Sequence, residues 1–144
     1  MWYLMSSIIE ISAGSFHSEV IDVDKPVVVE FFSNSCSHCI RFRPIYEKLS
    51  ETLKGQAKFV KINVPLNEEN KALTHTNEGN KALAHNRGIR ALPTLEVFYQ
   101  GRAIGNIVGY HPFEKVYEII KDILSKKEKH IGPSTPFKYA HSSL

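Results

Sequence analysis

The chain holds two cysteines, and they stand together as Cys36-Ser37-His38-Cys39. At this spacing two sulfurs can close a disulfide across one helical turn. As free thiols they can pass two electrons to another disulfide, with a thiolate as the attacking species. An apolar run, Pro26-Val27-Val28-Val29-Glu30-Phe31-Phe32, leads into the pair, and a helix-patterned segment follows it. That order predicts a strand feeding a helix N-terminus, where unpaired N–H groups and the positive end of the dipole favour a sulfur anion. Cys36 is expected there, its sulfur partly exposed, as the attacking group. Cys39, one turn on, is expected to be more buried and to attack Cys36 in turn, releasing the reduced target.

His38 lies between the two. An imidazole beside Cys36 that held the thiolate by charge or hydrogen bond would make the pair more oxidising. A gain of about 1–2 kcal/mol corresponds to roughly 20–45 mV for a two-electron couple. A plain exposed spacer is the other reading of His38. Cys36, His38 and Cys39 are also metal-ligand types, and the chain has seven histidines. A closed zinc site takes four ligands, commonly as two spaced pairs, and the chain has no second cysteine pair. No metal is expected. Covalent haem attachment needs a histidine directly after the second cysteine, where Ile40 stands.

The remaining composition narrows the class. A length of 144 residues suits one domain with one core. The hydrophobic fraction is 42% and the net charge +3, with much of the surplus in the last quarter. This charge is too small to argue for nucleic acid. No apolar run is long enough to span a bilayer, and Met1-Trp2-Tyr3-Leu4-Met5 lacks the features of a secretion signal. The expectation is a cytoplasmic protein, in a compartment where a cycling dithiol fits better than a static disulfide.

The elements around the pair follow from periodicity. Ile8 to Ile11 is a short strand candidate and Ser15 to Val20 suits a brief helix. Val27 to Phe32 reads as a central strand buried on both faces. Phe42, Ile45, Tyr46, Leu49 and Leu53 recur at helical steps until Gly55, with Pro44 interrupting the hydrogen-bond ladder and expected to kink it. Lys58 to Val64 is a strand. Thr94 to Tyr99 and Ala103 to Val108 flank Gln100-Gly101 as a hairpin. Phe113, Val116, Tyr117, Ile120, Ile123 and Leu124 make a last amphipathic helix. The fold class is α/β, a mixed sheet flanked by helices.

Two regions stand apart. Residues 67–76 are nearly repeated by residues 77–86. Ten residues leave the copies roughly 80° out of phase on one helix, and residues 74–79 are poor helix material. Two short helical pieces with a break between them are expected, as a tolerated local duplication; a partner-specific protrusion is the alternative. The segment from 126 to 144 is rich in Lys, Ser and Pro without an apolar period, and is expected to be a basic, flexible tail after a domain spanning 1–125.

With these elements in order, the sequence resembles the thioredoxin family over residues 8–124. Val29-Glu30-Phe31-Phe32 precedes the cysteine motif as that family's central strand does. Pro44 occupies its helix-kinking position, Lys61-Ile62-Asn63 resembles its third strand, and Gly88-Ile89-Arg90-Ala91-Leu92-Pro93-Thr94 resembles the segment holding its cis-proline. Gly101 and Gly109 match its hairpin and post-strand glycines. The resemblance implies that Pro93 is cis and packs beside the cysteines. Ser35, Leu92, Pro93, Thr94 and Gly109 would then form the place where an extended target peptide lies. Glu30 stands where the family has a buried aspartate, and would take a proton from Cys39; Lys61 would pair with it and limit the rise in its pKa. Ser37-His38 would tune the potential.

Departures are equally specific. Ser35 and Phe32 replace two common tryptophans, and Ser37-His38 replaces Gly-Pro. The duplicated copy between the third and fourth strands is also unusual. The reading is a monomeric protein-disulfide reductase with no cofactor beyond its redox-active cysteines. Its partners would be disulfide-containing proteins and a thioredoxin reductase or equivalent donor, with no nucleic acid and no membrane. The alternatives are a disulfide oxidase or isomerase, suggested by His38, and an interaction module with a weakened dithiol, suggested by Ser35 and the duplication.

Overall fold

The computed structural model describes residues 7–65 and 75–130. Five strands form one sheet: β1 (Ile8–Ile11), β2 (Val27–Phe32), β3 (Lys58–Asn63), β4 (Thr94–Tyr99) and β5 (Arg102–Val108). Their spatial order is β1-β3-β2-β4-β5. β3 lies parallel to both β1 and β2, while β4 runs antiparallel to β2 and β5. The helices are α1 (Ser37–Thr52), α2 (His75–Asn86) and α3 (Phe113–Ser125).

Every residue of β2 is buried, which is why its sequence is a continuous apolar run rather than an alternating one. Its side chains divide between two cores. Val28 packs with Leu95, Val97 and Ile107 against Phe42, Tyr46 and Leu49 of α1 and Val116 and Ile120 of α3. Val27, Val29 and Phe31 pack with Val60 and Ile62 against Phe16, Val20 and Ala84 on the opposite face. Burying a side chain of this kind contributes about 1.5–3 kcal/mol, so β2, like the equally buried β4, is a strand that tolerates little change. It is also the strand whose C-terminal end delivers the chain to Cys36.

Two expectations need correction. The brief helix at Ser15–Val20 is instead a 3₁₀ turn, Ala13–Ser15, followed by a wide π-type turn, His17–Ile21. And residues 75–79, expected within a break, are the first turn of α2. Tertiary contacts override propensity here. The buried Asn80 carboxamide accepts from the Ala13 N–H at 2.7 Å and donates to the Asn63 carbonyl at 2.9 Å. Gly79 packs close to the same turn, where an added Cβ would lie 3.5 Å from that of Ala13. The first copy, except for His75 and Thr76 at the start of α2, lies outside the described residues. So does 131–144, but the segment from 126 begins with a 3₁₀ turn, Lys127–His130, tied to the sheet where the Tyr99 hydroxyl donates to Glu128 at 3.3 Å. No helix among the described residues is long and apolar enough to cross a membrane.

Candidate active site

The cysteine pair sits at the junction of β2 and α1, as the strand-then-helix order requires. Cys36 is the N-cap of α1, in extended conformation. Its sulfur accepts the Cys39 N–H at 3.2 Å. The cap therefore places one of the helix's unpaired donors directly on the atom that must carry negative charge. The Cys36 thiol also lies 3.6 Å from the Leu92 carbonyl oxygen, to which it can donate. Both cysteines are free thiols. Cys36 is 8% exposed and Cys39 4%, so the order of burial follows expectation although Cys36 is more enclosed than anticipated. Burial pushes the Cys39 thiol up to about 12, with the hydrogen bond to Cys36 adding to the rise and a Ser33 backbone contact opposing it.

Behind Cys39 is a cavity of about 100 Å³ lined by Glu30, Cys39, Arg43, Tyr46, Glu47 and Lys61, among others. That volume has room for water between polar walls. Glu30, on β2, is 4% exposed. Burial raises its pKa from 4.5 to about 7, against the charges of Lys61 and, less strongly, Arg43. Lys61 is the register partner of Glu30 across β2 and β3. Its ammonium lies 5.2 Å from the Phe32 ring centroid and acts on Glu30 through its charge. Tyr46 closes the cavity floor, its hydroxyl donating to the Val60 carbonyl at 2.7 Å; burial holds that phenol well above its usual pKa. Arg43 was not singled out from the sequence. Its signal is the helical spacing Cys39, Arg43, Glu47, which aligns the three on one face of α1.

The peptide bond between Leu92 and Pro93 is cis. Pro93 is buried, and its carbonyl accepts the Gly109 N–H at 2.7 Å. Gly109 has φ +88°, a conformation that favours glycine. Thr94 is buried and its hydroxyl donates to the Ala91 carbonyl at 2.7 Å, so it closes the loop on itself. Leu92 is half-buried against Phe32 and the cysteines. Ser35 is exposed, its hydroxyl 3.1 Å from that of Ser33. Thus Leu92, Pro93, Thr94 and Gly109 meet beside Cys36, with Ser35 on the approach from β2.

Ser37 and His38 are exposed on the first turn of α1. A hydrogen bond of 3.4 Å joins Arg41 Nη1 and His38 Nδ1. Arginine can only donate, so that ring nitrogen is an acceptor. Arg41 itself lies 4.6 Å from the Tyr110 ring centroid. Among the described residues no three His, Cys, Asp or Glu side chains cluster to hold a metal.

The arrangement can exchange disulfides: a helix-capping thiol, a still more buried second thiol one turn away, and a proline loop against both. Comparison with known proteins agrees. The family model for thioredoxin matches residues 7–122. A thioredoxin of Chlorobaculum thiosulfatiphilum is 30% identical over 124 residues, covering 85% of this chain and 95% of that protein. Thioredoxin 1 of a Nostoc species is 32% identical over 108 residues, covering 75% of this chain and 89% of its own. Protein disulfide-isomerase 2-3 of Arabidopsis thaliana is 26% identical over 146 residues, 96% of this chain and 30% of that protein. With this sheet order, this thiol geometry and these relatives, the chain belongs to the thioredoxin family and is a thiol-disulfide oxidoreductase.

Proposed function

We propose that this chain reduces disulfides in protein targets, working as a monomer in the cytoplasm and recharged by a thioredoxin reductase or an equivalent dithiol donor. Cys36 loses its proton and its thiolate attacks one sulfur of the target disulfide. That bond breaks, and the departing target sulfur takes up a proton while Cys36 and the other target sulfur form a mixed disulfide. Glu30, as carboxylate, then accepts the Cys39 proton through the cavity they share. The Cys39 thiolate attacks Cys36, the second target sulfur leaves and is protonated, and a Cys36–Cys39 disulfide remains. Two electrons have passed to the target.

The observation that carries this reading is the division of labour between the sulfurs. One accepts a helix-terminal N–H at 3.2 Å. The other is buried and holds its proton to about pH 12 until a base is offered. A second reading, oxidase or isomerase, is favoured by His38 and by the relative named protein disulfide-isomerase. The Arg41 hydrogen bond weighs against it, because it gives the imidazole Nδ1 a cationic partner in place of the sulfur. The deciding experiment has two parts. Insulin-disulfide reduction should be lost in Cys36→Ser, and the equilibrium potential of the pair should lie well below the glutathione poise. A potential at or above that poise overturns the reductase reading. Reduction that persists in Cys36→Ser overturns the role of the thiol.

A further inference from the structure

Residues 33–43 and 88–94 meet at the Cys36 sulfur, and residues 109–111 join them through the Gly109 N–H on the Pro93 carbonyl and through Tyr110 against Phe42 and Arg41. They contain Arg41, Arg43, Arg90, His38 and His111, and no Asp or Glu. The whole chain is nearly balanced, with 18 Lys and Arg against 15 Asp and Glu, so this skew belongs to the site rather than to composition. Of the two carboxylates that line the cavity behind Cys39, Glu30 is buried, and the exposed Glu47 stands about two turns further along α1.

Two of these cations are exposed on the two elements that meet at the sulfur. Arg41 is on α1, held in place by its stacking on Tyr110 and its hydrogen bond to His38. Tyr110 directly follows Gly109, whose N–H is bound to the Pro93 carbonyl. Arg90 lies on the proline loop, two residues before the Leu92 carbonyl that meets the Cys36 thiol. Between them the exposed apolar surface is modest: half-buried Leu92 and Ile40, 47% exposed. Ser35 offers no aromatic plate. A guanidinium already fixed by neighbours loses little freedom on binding, and cations on adjoining elements raise the local concentration of an anionic partner.

We propose, on the basis of the reductase reading above, that the preferred targets are disulfides flanked by acidic residues. An extended acidic segment sets its apolar side chains on Leu92 and Ile40 and its carboxylates on Arg41 and Arg90. Specificity then comes from charge where the family's aromatic contact is missing.

The test uses three disulfide peptides of equal length whose cysteines are flanked by Glu, Gln or Lys, with the full-length protein and steady-state kcat/KM at low and high salt. The Glu peptide should be reduced about tenfold faster than the Gln peptide at low ionic strength, the Lys peptide should be slowest, and the spread should shrink in high salt. A double charge reversal, Arg41→Glu with Arg90→Glu, should invert the order. Equal rates for the three peptides at low salt overturn the acidic-target inference while leaving the reductase reading intact. So does an order that the charge reversal fails to change. Failure to reduce any of the three overturns both.

Discussion

Replacing Glu30 by glutamine tests the site most directly, because in the proposed mechanism the same carboxyl bears on both stability and rate. Its pKa rises from 4.5 in the open chain to about 7 in the fold, chiefly through burial. A raised carboxyl pKa means that the native state binds more protons than the unfolded state between those two values. Stability is therefore fully present below pH 4.5 and is lost as the pH rises through about 7. At about 1.4 kcal/mol for each tenfold change in proton affinity, the interval is worth about 3 kcal/mol. Urea unfolding of the reduced protein between pH 4.5 and 8 should show Glu30→Gln gaining about that much on the wild type as the pH rises. The raised Cys39 pKa acts only above pH 9 and stays outside this window. Kinetically, resolution of a preformed mixed disulfide should accelerate with pH up to about 7 in the wild type. In the variant that inflection should vanish, and the step should be about a hundredfold slower at pH 8. Lys61→Gln should move the inflection upward, and Arg43→Gln should do so by less, in the order of their charge effects on Glu30. Parallel stability curves together with an unchanged inflection in Glu30→Gln would refute the assignment of the base.

Two other substitutions probe the nucleophile and the frame. Cys39→Ser should accumulate a covalent adduct between Cys36 and a target, seen as a mass increase reversed by a small thiol; a clean reduced protein after exposure to target would deny Cys36 its attacking role. Arg87→Gln should lower unfolding free energy by about 3 kcal/mol, since Glu96 is only 3% exposed and takes both of its close contacts, at 2.9 and 3.2 Å, from that guanidinium; an unchanged urea midpoint would show that Glu96 finds another partner or a proton.

Much of this architecture is written in local pattern. The continuous apolar run at Val27–Phe32 announces a doubly covered strand, and the glycine in Gln100-Gly101 announces the hairpin. The cysteine spacing alone locates the site. What the sequence hides is non-local. Arg41 and Tyr110 meet from stretches far apart in the chain, and nothing near either residue signals the ring contact that holds a cation beside His38 Nδ1. Residues 75–79 look unsuited to a helix until Asn80 is seen bridging Ala13 and Asn63. Glu96 stands in a run that otherwise reads as apolar, and only the fold supplies Arg87 to hold it. Arg43 was within reach, because its helical offset from Cys39 could be read directly.

One atom serves two masters in this molecule. The Cys36 sulfur caps α1 and, in the reaction proposed above, also makes the first bond exchange. Each time that sulfur is alkylated or joined to another sulfur, the acceptor that meets the Cys39 N–H at the first turn of the helix changes with it. The scaffold thus registers the progress of the reaction, and the exchange rate of the Cys39 amide proton is a natural gauge of where in its cycle the protein stands.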